Sequence, residues 1–348
     1  MTKSKNPLRV LLVDDSPLIR DILRDILESE PDIQVIGEAG DGKEAIAKVG
    51  ELQPDLVTMD IEMPVMGGLE AIEQIMAKHP VPILVVTALT GVRMAFTAVS
   101  KGALDVIEKP DISIVNTQNL IRKIRRLAIV DVHAHLRAMK PQPKPAVATP
   151  VATPQAGGRP GIVAIAASTG GPHAIHNILA QLPGTFPVPI VIAQHIADGF
   201  TEGMVEWLDA VTPLHVRVAR HGEVLMPGNV YVNPAEHSMI VTRQSTIILG
   251  DRDQRKPYNP SCDALLSSVA ASFRERSLGL IMSGMGDDGV AGMQSIRAHH
   301  GITLAQDGKS SVVFGMNAVA IQKGCIDNVV VLANLPAELL RLVVGSRQ

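Results

Sequence analysis

The sequence predicts an α/β protein with two doubly wound parallel-sheet domains, and three features of the chain lead to this prediction. Short apolar segments alternate with stretches of helical periodicity in both halves of the chain, as in parallel sheets with helical crossovers. A proline-rich segment separates the two halves. The length of 348 residues corresponds to about two domains of roughly 150 residues each. We therefore expect one domain over residues 1–139, a linker over 140–160 and a second domain over 161–348.

The first half carries four apolar segments of strand length. They cover residues 8–13, 56–59, 83–86 and 106–108. Ser16 and Pro17 open a helix after the first of them, because proline suits the first helical position. The basic cluster over residues 122–126 is interpreted as the polar face of a later helix, whose apolar face carries Leu120, Ile121, Ile124 and Leu127. With a net charge of −3, the chain gives no reason to expect a nucleic-acid partner.

Polar residues end each of these four segments. They are Asp14 and Asp15, then Asp60, Thr87 and Lys109. Because the carboxyl ends of parallel strands meet at one edge of a sheet, we expect these five side chains to converge in one crevice. Three crowded carboxylates need a cation, and Mg²⁺ prefers one or two carboxylates together with phosphate oxygens. The sequence thus predicts a site that accepts a phosphoryl group, with Asp60 as the nucleophile.

Taken singly, each acidic residue here is an ordinary loop or helix-cap residue, but the whole set in order is specific. Together with Met63-Pro64 and Gly67-Gly68, it makes residues 8 to about 125 resemble the receiver domain of bacterial response regulators, which has a flavodoxin-like fold. The resemblance implies phosphorylation of Asp60 by a histidine kinase.

The same resemblance implies a role for each of the other polar residues. Mg²⁺ is held by Asp15, Asp60 and the backbone carbonyl of Glu62, with Asp14 assisting, and Thr87 and Lys109 bind the phosphoryl oxygens. Receivers usually carry Tyr or Phe where this chain has Val106, so an aromatic side-chain switch does not carry over.

The segment over residues 140–160 has no helical or strand period and contains six prolines among Ala, Thr and Gly. Such a linker is partly extended and spans roughly 25 Å. It keeps the tethered domains at an effective concentration on the order of millimolar. The chain has two cysteines without metal or disulfide spacing, a polar start and no long apolar stretch. We therefore expect a cytoplasmic protein with no membrane insertion.

The second half repeats the alternation of strands and helices. Its strand-like segments cover residues 162–166, 189–193 and 278–282. Ser168 follows the first on a glycine-rich turn before a helix, His195 follows the second, and the pair Asp287 and Asp288 follows the third. Ser, His and Asp at one sheet edge form a nucleophile, its general base and the group that orients the base.

Each of these residues also has a simpler interpretation. Ser168 is a good helix cap, His195 is an acceptable wall residue, and aspartates before glycine are common in turns. His173 competes for the role of base. A glycine-rich turn can also cradle a nucleotide phosphate, although the G-x-G-x-x-G spacing is absent.

Residues 161 to about 345 resemble the Rossmann-like α/β catalytic domain of the CheB-type protein-glutamate methylesterases and glutamine deamidases. The matching stretches are residues 167–172, 194–195, 199–201, 260–263, 284–289 and 313–316. The resemblance implies that Ser168 is the nucleophile, His195 the base and Asp288 the orienting carboxylate. It implies no cofactor in this domain. Backbone N–H groups near Thr169 and Met285 are the candidates for the oxyanion hole.

The two resemblances together predict a regulated hydrolase whose substrates are methyl-accepting chemoreceptors. It would release methanol from glutamate methyl esters and convert receptor glutamines to glutamate. Because a tethered receiver is present at high effective concentration, we expect it to inhibit the catalytic domain until Asp60 is phosphorylated. Two alternatives from other classes stay open: a receptor-binding module without turnover, and a nucleotide-binding output domain.

Overall fold

The structure, a computed structural model, describes residues 7–88, 91–109, 114–139, 159–253 and 258–345. The chain divides into two compact units, Met1–Met139 and Lys140–Gln348. Most of the predicted linker, residues 140–158, lies outside the described residues. Each unit is built on its own parallel sheet with helices between the strands, as the sequence predicts.

The described residues of the first unit form five strands and six helices. The strands are β1 (Leu8–Val13), β2 (Ile33–Ala39), β3 (Leu56–Met59), β4 (Ile83–Thr87) and β5 (Asp105–Glu108). The helices are α1 (Pro17–Glu28), α2 (Gly42–Leu52), α3 (Gly68–Lys78), α4 (Val92–Ser100), α5 (Ile114–Leu127) and α6 (Val132–Met139). The sheet order is β2-β1-β3-β4-β5, with all pairs parallel. The order reverses between β1 and β3, and a crevice forms at such a reversal.

Local chemistry explains the helices that the sequence predicts. Ser16 caps α1 by accepting a hydrogen bond from the N–H of Ile19, which satisfies one of the free donors of the first turn. The apolar face of α5 is buried, as predicted. Its basic residues form ion pairs within the unit, Lys123 with Asp105 and Arg125 with Glu30 and Asp32.

The described residues of the second unit form nine strands and six α-helices. The strands are β6 (Ile162–Ala167), β7 (Ile190–Gln194), β8 (His215–Val218), β9 (Asn229–Val232), β10 (His237–Val241), β11 (Ile247–Asp251), β12 (Ser277–Ile281), β13 (Ile302–Gln306) and β14 (Asn328–Val330). The helices are α7 (Gly171–Leu179), α8 (Thr201–Asp209), α9 (Cys262–Phe273), α10 (Val290–Ala298), α11 (Met316–Gln322) and α12 (Leu335–Val344).

Seven of these strands form one parallel sheet in the order β14-β13-β12-β6-β7-β9-β8, and β10 pairs with β11 as a separate antiparallel hairpin. The central strand β6 is buried along its whole length. Its neighbours are β12 and β7, so the turns that follow β6, β7 and β12 lie side by side. These are the three turns that carry the predicted Ser, His and Asp residues.

In the part of the chain that the structure describes, no helix is long and apolar enough to cross a membrane.

Candidate active site

Ser168 directly follows β6 on a turn that several contacts hold in place. Its backbone N–H donates to the carbonyl of Ser283 at 3.0 Å, and its own carbonyl accepts from the side chain of Gln194 at 2.8 Å. Gly284 lies against the serine, because a Cβ added to it would come within 2.7 Å of the Ser168 Cβ. Only glycine fits at that position without moving Ser168.

The structure contradicts the interpretation of Ser168 as a helix cap. The N-cap of α7 is Gly170, in the left-handed conformation with φ of 76°, and no side chain caps the helix. The Ser168 side chain is therefore not committed to the first turn of α7. It is nevertheless mostly buried, with 8% of the residue exposed.

His195 lies next to Ser168 because the residues before them, Gln194 and Ala167, are paired in β7 and β6. Its ring stacks on Tyr258 with centroids 5.0 Å apart and an angle of 8° between the planes. Its Nε2 lies 2.8 Å from Oδ2 of Asp288. Since a carboxylate acceptor holds the ring proton at Nε2, the lone pair of the neutral imidazole is on Nδ1.

Nδ1 of His195 is buried and has no hydrogen-bond partner among the described residues. Ser168 Oγ likewise forms no hydrogen bond within the described part of the chain. The two groups are thus the uncommitted polar atoms of neighbouring turns. A hydrogen bond between a serine hydroxyl and a histidine ring in such a site often tightens only when substrate binds.

Asp288 is the buried member of the aspartate pair, whereas Asp287 is exposed. Besides His195, its carboxylate accepts from the backbone N–H groups of Cys262 at 2.7 Å and Asp263 at 3.1 Å. Burial alone raises a carboxyl pKa, but the hydrogen bond from His195 and these backbone donors outweigh it and lower the pKa of Asp288. The residue is therefore a fixed carboxylate that orients the imidazole.

Asp263 is a residue of the site for which the sequence analysis predicts no role. Its Oδ1 accepts from the backbone N–H groups of Gly289 at 2.8 Å and Gly292 at 2.9 Å. The backbone N–H groups at the start of α9 thus donate to the Asp288 carboxylate. In return, the Asp263 carboxylate at the start of α9 accepts from backbone N–H groups at the start of α10. This reciprocal arrangement, which we call the aspartate clamp, fixes the position of Asp288. Its sequence signal is the helix start Ser261-Cys262-Asp263, where Ser261 is the N-cap.

The two candidate oxyanion donors lie on the turns after β6 and β12. Ser283 Oγ donates to the carbonyl of Thr169 at 2.7 Å, which orients that peptide. In the described part of the chain, the N–H groups of Thr169 and Met285 donate to no protein acceptor. Both groups are therefore available to a developing oxyanion. His173, the alternative base, is buried on α7, and the carboxylate of Asp288 bonds to His195 instead.

The crevice of the first unit brings its predicted residues together at the ends of β1, β3, β4 and β5. Lys109 Nζ lies 2.8 Å from Asp14 and 2.9 Å from Asp60. The other carboxylate oxygen of Asp60 accepts from the N–H of Ile61 at 2.7 Å. Asp14, Asp60 and Thr87 are buried, and Asp15 is exposed.

The electrostatics of this crevice are set by burial and by one lysine. Burial raises the pKa of Asp14, although the hydrogen bond from Lys109 opposes this shift. Burial also lowers the pKa of Lys109, but Asp14 and Asp60 together outweigh it and raise that pKa. Lys109 is therefore a firmly held cation between two carboxylates.

The donor set of the crevice fits Mg²⁺. One carboxylate oxygen from each of Asp14, Asp15 and Asp60 lies within 4.8 Å of the others, and hard oxygen donors suit this ion. Glu62, whose carbonyl is the further predicted ligand, lies two residues after Asp60 in the turn that follows β3. A Cβ at Gly68 would come within 1.9 Å of the Asp60 carbonyl, so this turn packs tightly on α3.

Val106 occupies the middle of β5, paired with Val85. Only 9% of its surface is exposed. The position that usually carries an aromatic ring in receivers is thus filled by a small core side chain.

Comparison with known proteins matches both halves of the chain. Residues 163–339 match the family model described as CheB methylesterase, and residues 10–125 match the response regulator receiver domain. A protein of Paramagnetospirillum magneticum named protein-glutamate methylesterase/protein-glutamine glutaminase 3 is 47% identical over 99% of this chain and 98% of its own length. A protein of Myxococcus xanthus with the same name is 43% identical over 97% of this chain and 94% of its own.

A solved structure also matches the second unit. The CheB methylesterase catalytic domain of Thermotoga maritima is 34% identical, covers 53% of this chain with 99% of its own length, and superimposes with a TM-score of 0.52. The comparisons therefore cover both units in the same order along the chain.

Proposed function

The chain belongs to the CheB methylesterase family and carries a receiver domain, and on that premise we propose that it is a phosphorylation-activated receptor methylesterase and glutamine deamidase. The observation that carries the proposal is the hydrogen bond of 2.8 Å between His195 and Asp288. His195 lies on the turn next to Ser168, which is mostly buried and does not cap α7. Such an arrangement serves acyl transfer from an ester or an amide.

The reaction begins when Ser168 Oγ attacks the carbonyl carbon of a glutamate methyl ester on a chemoreceptor. Nδ1 of His195 takes the serine proton, and Asp288 stabilises the imidazolium that forms. The N–H groups of Thr169 and Met285 bind the oxyanion, each such donor contributing on the order of 3 kcal/mol in the transition state.

The acyl-enzyme forms when the imidazolium returns its proton to the leaving group. The leaving group is methanol from an ester or ammonia from a glutamine. Water then attacks the acyl-enzyme with His195 as the base, which releases the glutamate carboxylate and restores Ser168.

The receiver regulates the activity of the esterase. Asp60 accepts a phosphoryl group from a histidine kinase, and Lys109 and Thr87 bind its oxygens. Asp15, Asp60 and the Glu62 carbonyl would hold Mg²⁺ with help from Asp14, and the ion would supply positive charge opposite the phosphoryl oxygens. The unphosphorylated receiver inhibits the esterase, and the protein works in the cytoplasm, which suits its two cysteines without disulfides.

Methanol release from methylated chemoreceptor tests the catalytic roles. Ser168→Ala and His195→Ala should each lose at least 100-fold in kcat, since either change removes the nucleophile and base pair. His173→Ala is the matched control, because it removes a buried histidine near the same turn. Activity within about tenfold of wild type in Ser168→Ala or His195→Ala would overturn the assignment, and a collapse in His173→Ala alone would transfer the role of base.

A further inference from the structure

The catalytic histidine and aspartate share their pocket with a cysteine that the reaction does not use. Cys262 Sγ lies 3.4 Å from Nε2 of His195. Ligand atoms of Cys262, His195 and Asp288 all lie within 4.8 Å of one another. Thiolate, imidazole and carboxylate are the three ligand types that proteins use for zinc. The site thus has the composition of a metal centre as well as that of a hydrolase.

The spacing of the donors agrees with this composition. A tetrahedral zinc ion, with bonds of about 2.3 Å to sulfur and about 2.0 Å to nitrogen, holds those two atoms about 3.5 Å apart. The observed sulfur to nitrogen distance is 3.4 Å. The carboxylate oxygen, at 2.8 Å from the same nitrogen, has to withdraw by about half an ångström.

We propose that Cys262, His195 and Asp288 form an inhibitory site for a thiophilic divalent cation, with Zn²⁺ as the physiological class. The charges favour it, because a dication with one thiolate and one carboxylate is neutral and so suits a buried pocket. The ligands also separate this site from that of the receiver. Sulfur and nitrogen donors select zinc, whereas the carboxylate oxygens of the receiver suit Mg²⁺.

The proton balance explains why the bound ion inhibits. Binding releases one proton, that of the Cys262 thiol. The ring proton of His195 moves from Nε2, which becomes a ligand, to Nδ1. The lone pair that accepts the serine proton is thereby lost, and Asp288 no longer orients the ring. One ion thus disables the base and its partner together.

Binding is tested on the full chain without substrate, with Co²⁺ as the spectroscopic probe. Wild type should show a thiolate-to-cobalt charge-transfer band that Zn²⁺ displaces. The band should disappear in Cys262→Val and Cys262→Ser. It should persist in Cys325→Ala, the matched control, since Cys325 is the other buried cysteine. A missing band in wild type, or a band that Cys325→Ala abolishes, would overturn the proposal.

Inhibition is tested separately and rests on the proposed function. Zn²⁺ should suppress methanol release by wild type, while millimolar Mg²⁺ should not. Relative to its own zinc-free rate, Cys262→Val should need at least about tenfold more Zn²⁺ for the same inhibition, as expected from the loss of a ligand. Equal sensitivity of wild type and Cys262→Val would refute the inhibitory role. If no variant turns over substrate, the proposed function fails, and the cobalt band still decides the metal site.

Discussion

The aspartate clamp predicts that Asp263, which touches no reacting atom, sets the rate of the esterase. In Asp263→Ala, the N–H groups of Gly289 and Gly292 lose an acceptor at 2.8 and 2.9 Å. Both belong to the start of α10, directly after Asp288. A lost carboxylate cap of this kind costs about 2 kcal/mol of unfolding free energy.

The cost in rate should exceed the cost in stability. Asp288 accepts from donors on the same turn that carries Asp263. If that turn is no longer held by the bonds of Asp263, the Asp288 carboxylate shifts relative to His195. A displacement of about 1 Å in a positioning group costs on the order of 100-fold in rate. We therefore expect Asp263→Ala to lower kcat by about that factor, with little change in KM, because the substrate contacts are untouched.

Methanol release at saturating receptor, measured with the unfolding midpoint in urea, separates position from stability. Asp263→Asn keeps an oxygen acceptor in place and should recover kcat to within about tenfold of wild type. Asp287→Ala is the matched control, since Asp287 is the exposed neighbour of Asp288. If Asp263→Ala keeps kcat within about threefold of wild type while losing the expected stability, the clamp serves folding alone and the reasoning is refuted.

Two further predictions concern the regulatory unit. Burial lowers the pKa of His135 on α6 from 6.5 to about 4. The contribution of this neutral histidine to the stability of the fold is therefore complete above pH 6.5 and is lost as the pH falls toward 4. Between pH 7 and 4, the free energy of unfolding should fall by about 3 kcal/mol more in wild type than in His135→Leu. Urea titrations followed by hydrogen exchange in peptides of residues 1–139 measure this, and equal losses would contradict it. Deleting residues 1–140 should raise basal methanol release about tenfold if the dissociation constant of the receiver for the esterase is about a tenth of the effective concentration of the receiver. Unchanged or lower activity would favour a receiver that only recruits partners.

The sequence predicts well where apolar segments and polar residues alternate at the ends of buried strands. All four predicted strands of the first unit and all three of the second form, and the sheet edges collect their polar residues. The strands that it missed are of two kinds: β9 and β13 are mostly buried, whereas β2, β10 and β11 are more exposed. β2 lies at the edge of its sheet, and β10 and β11 pair outside the main sheet, so these three strands lack the two covered faces of a buried parallel strand.

The active site was harder to predict because its geometry depends on contacts between distant residues. Asp288 accepts from donors 25 and 26 residues earlier in the chain, and the helix start at Ser261 does not show in the sequence which carboxylate it contacts. The sequence also does not show which ring nitrogen of His195 faces Asp288. The structure shows that Nδ1, and not Nε2, is the ring nitrogen without a carboxylate partner.

The path by which phosphorylation reaches the receiver surface follows from the packing around Thr87. Because Val106 is a small, buried side chain in this chain, no ring at that position can swing between two sites. Thr87 instead contacts the segment before α4, since a Cβ at Gly91 would come within 2.5 Å of its Oγ1. The carbonyl of Thr87 also accepts from the N–H of Lys109 at 2.9 Å.

A phosphoryl group on Asp60 would therefore interact with Thr87 and Lys109, two residues that a backbone hydrogen bond already joins. We expect Lys109 to leave Asp14 for the phosphoryl oxygens and Thr87 to turn toward them, which would change the contact between Thr87 and Gly91. We therefore predict that the position of the start of α4 depends on whether Asp60 is phosphorylated.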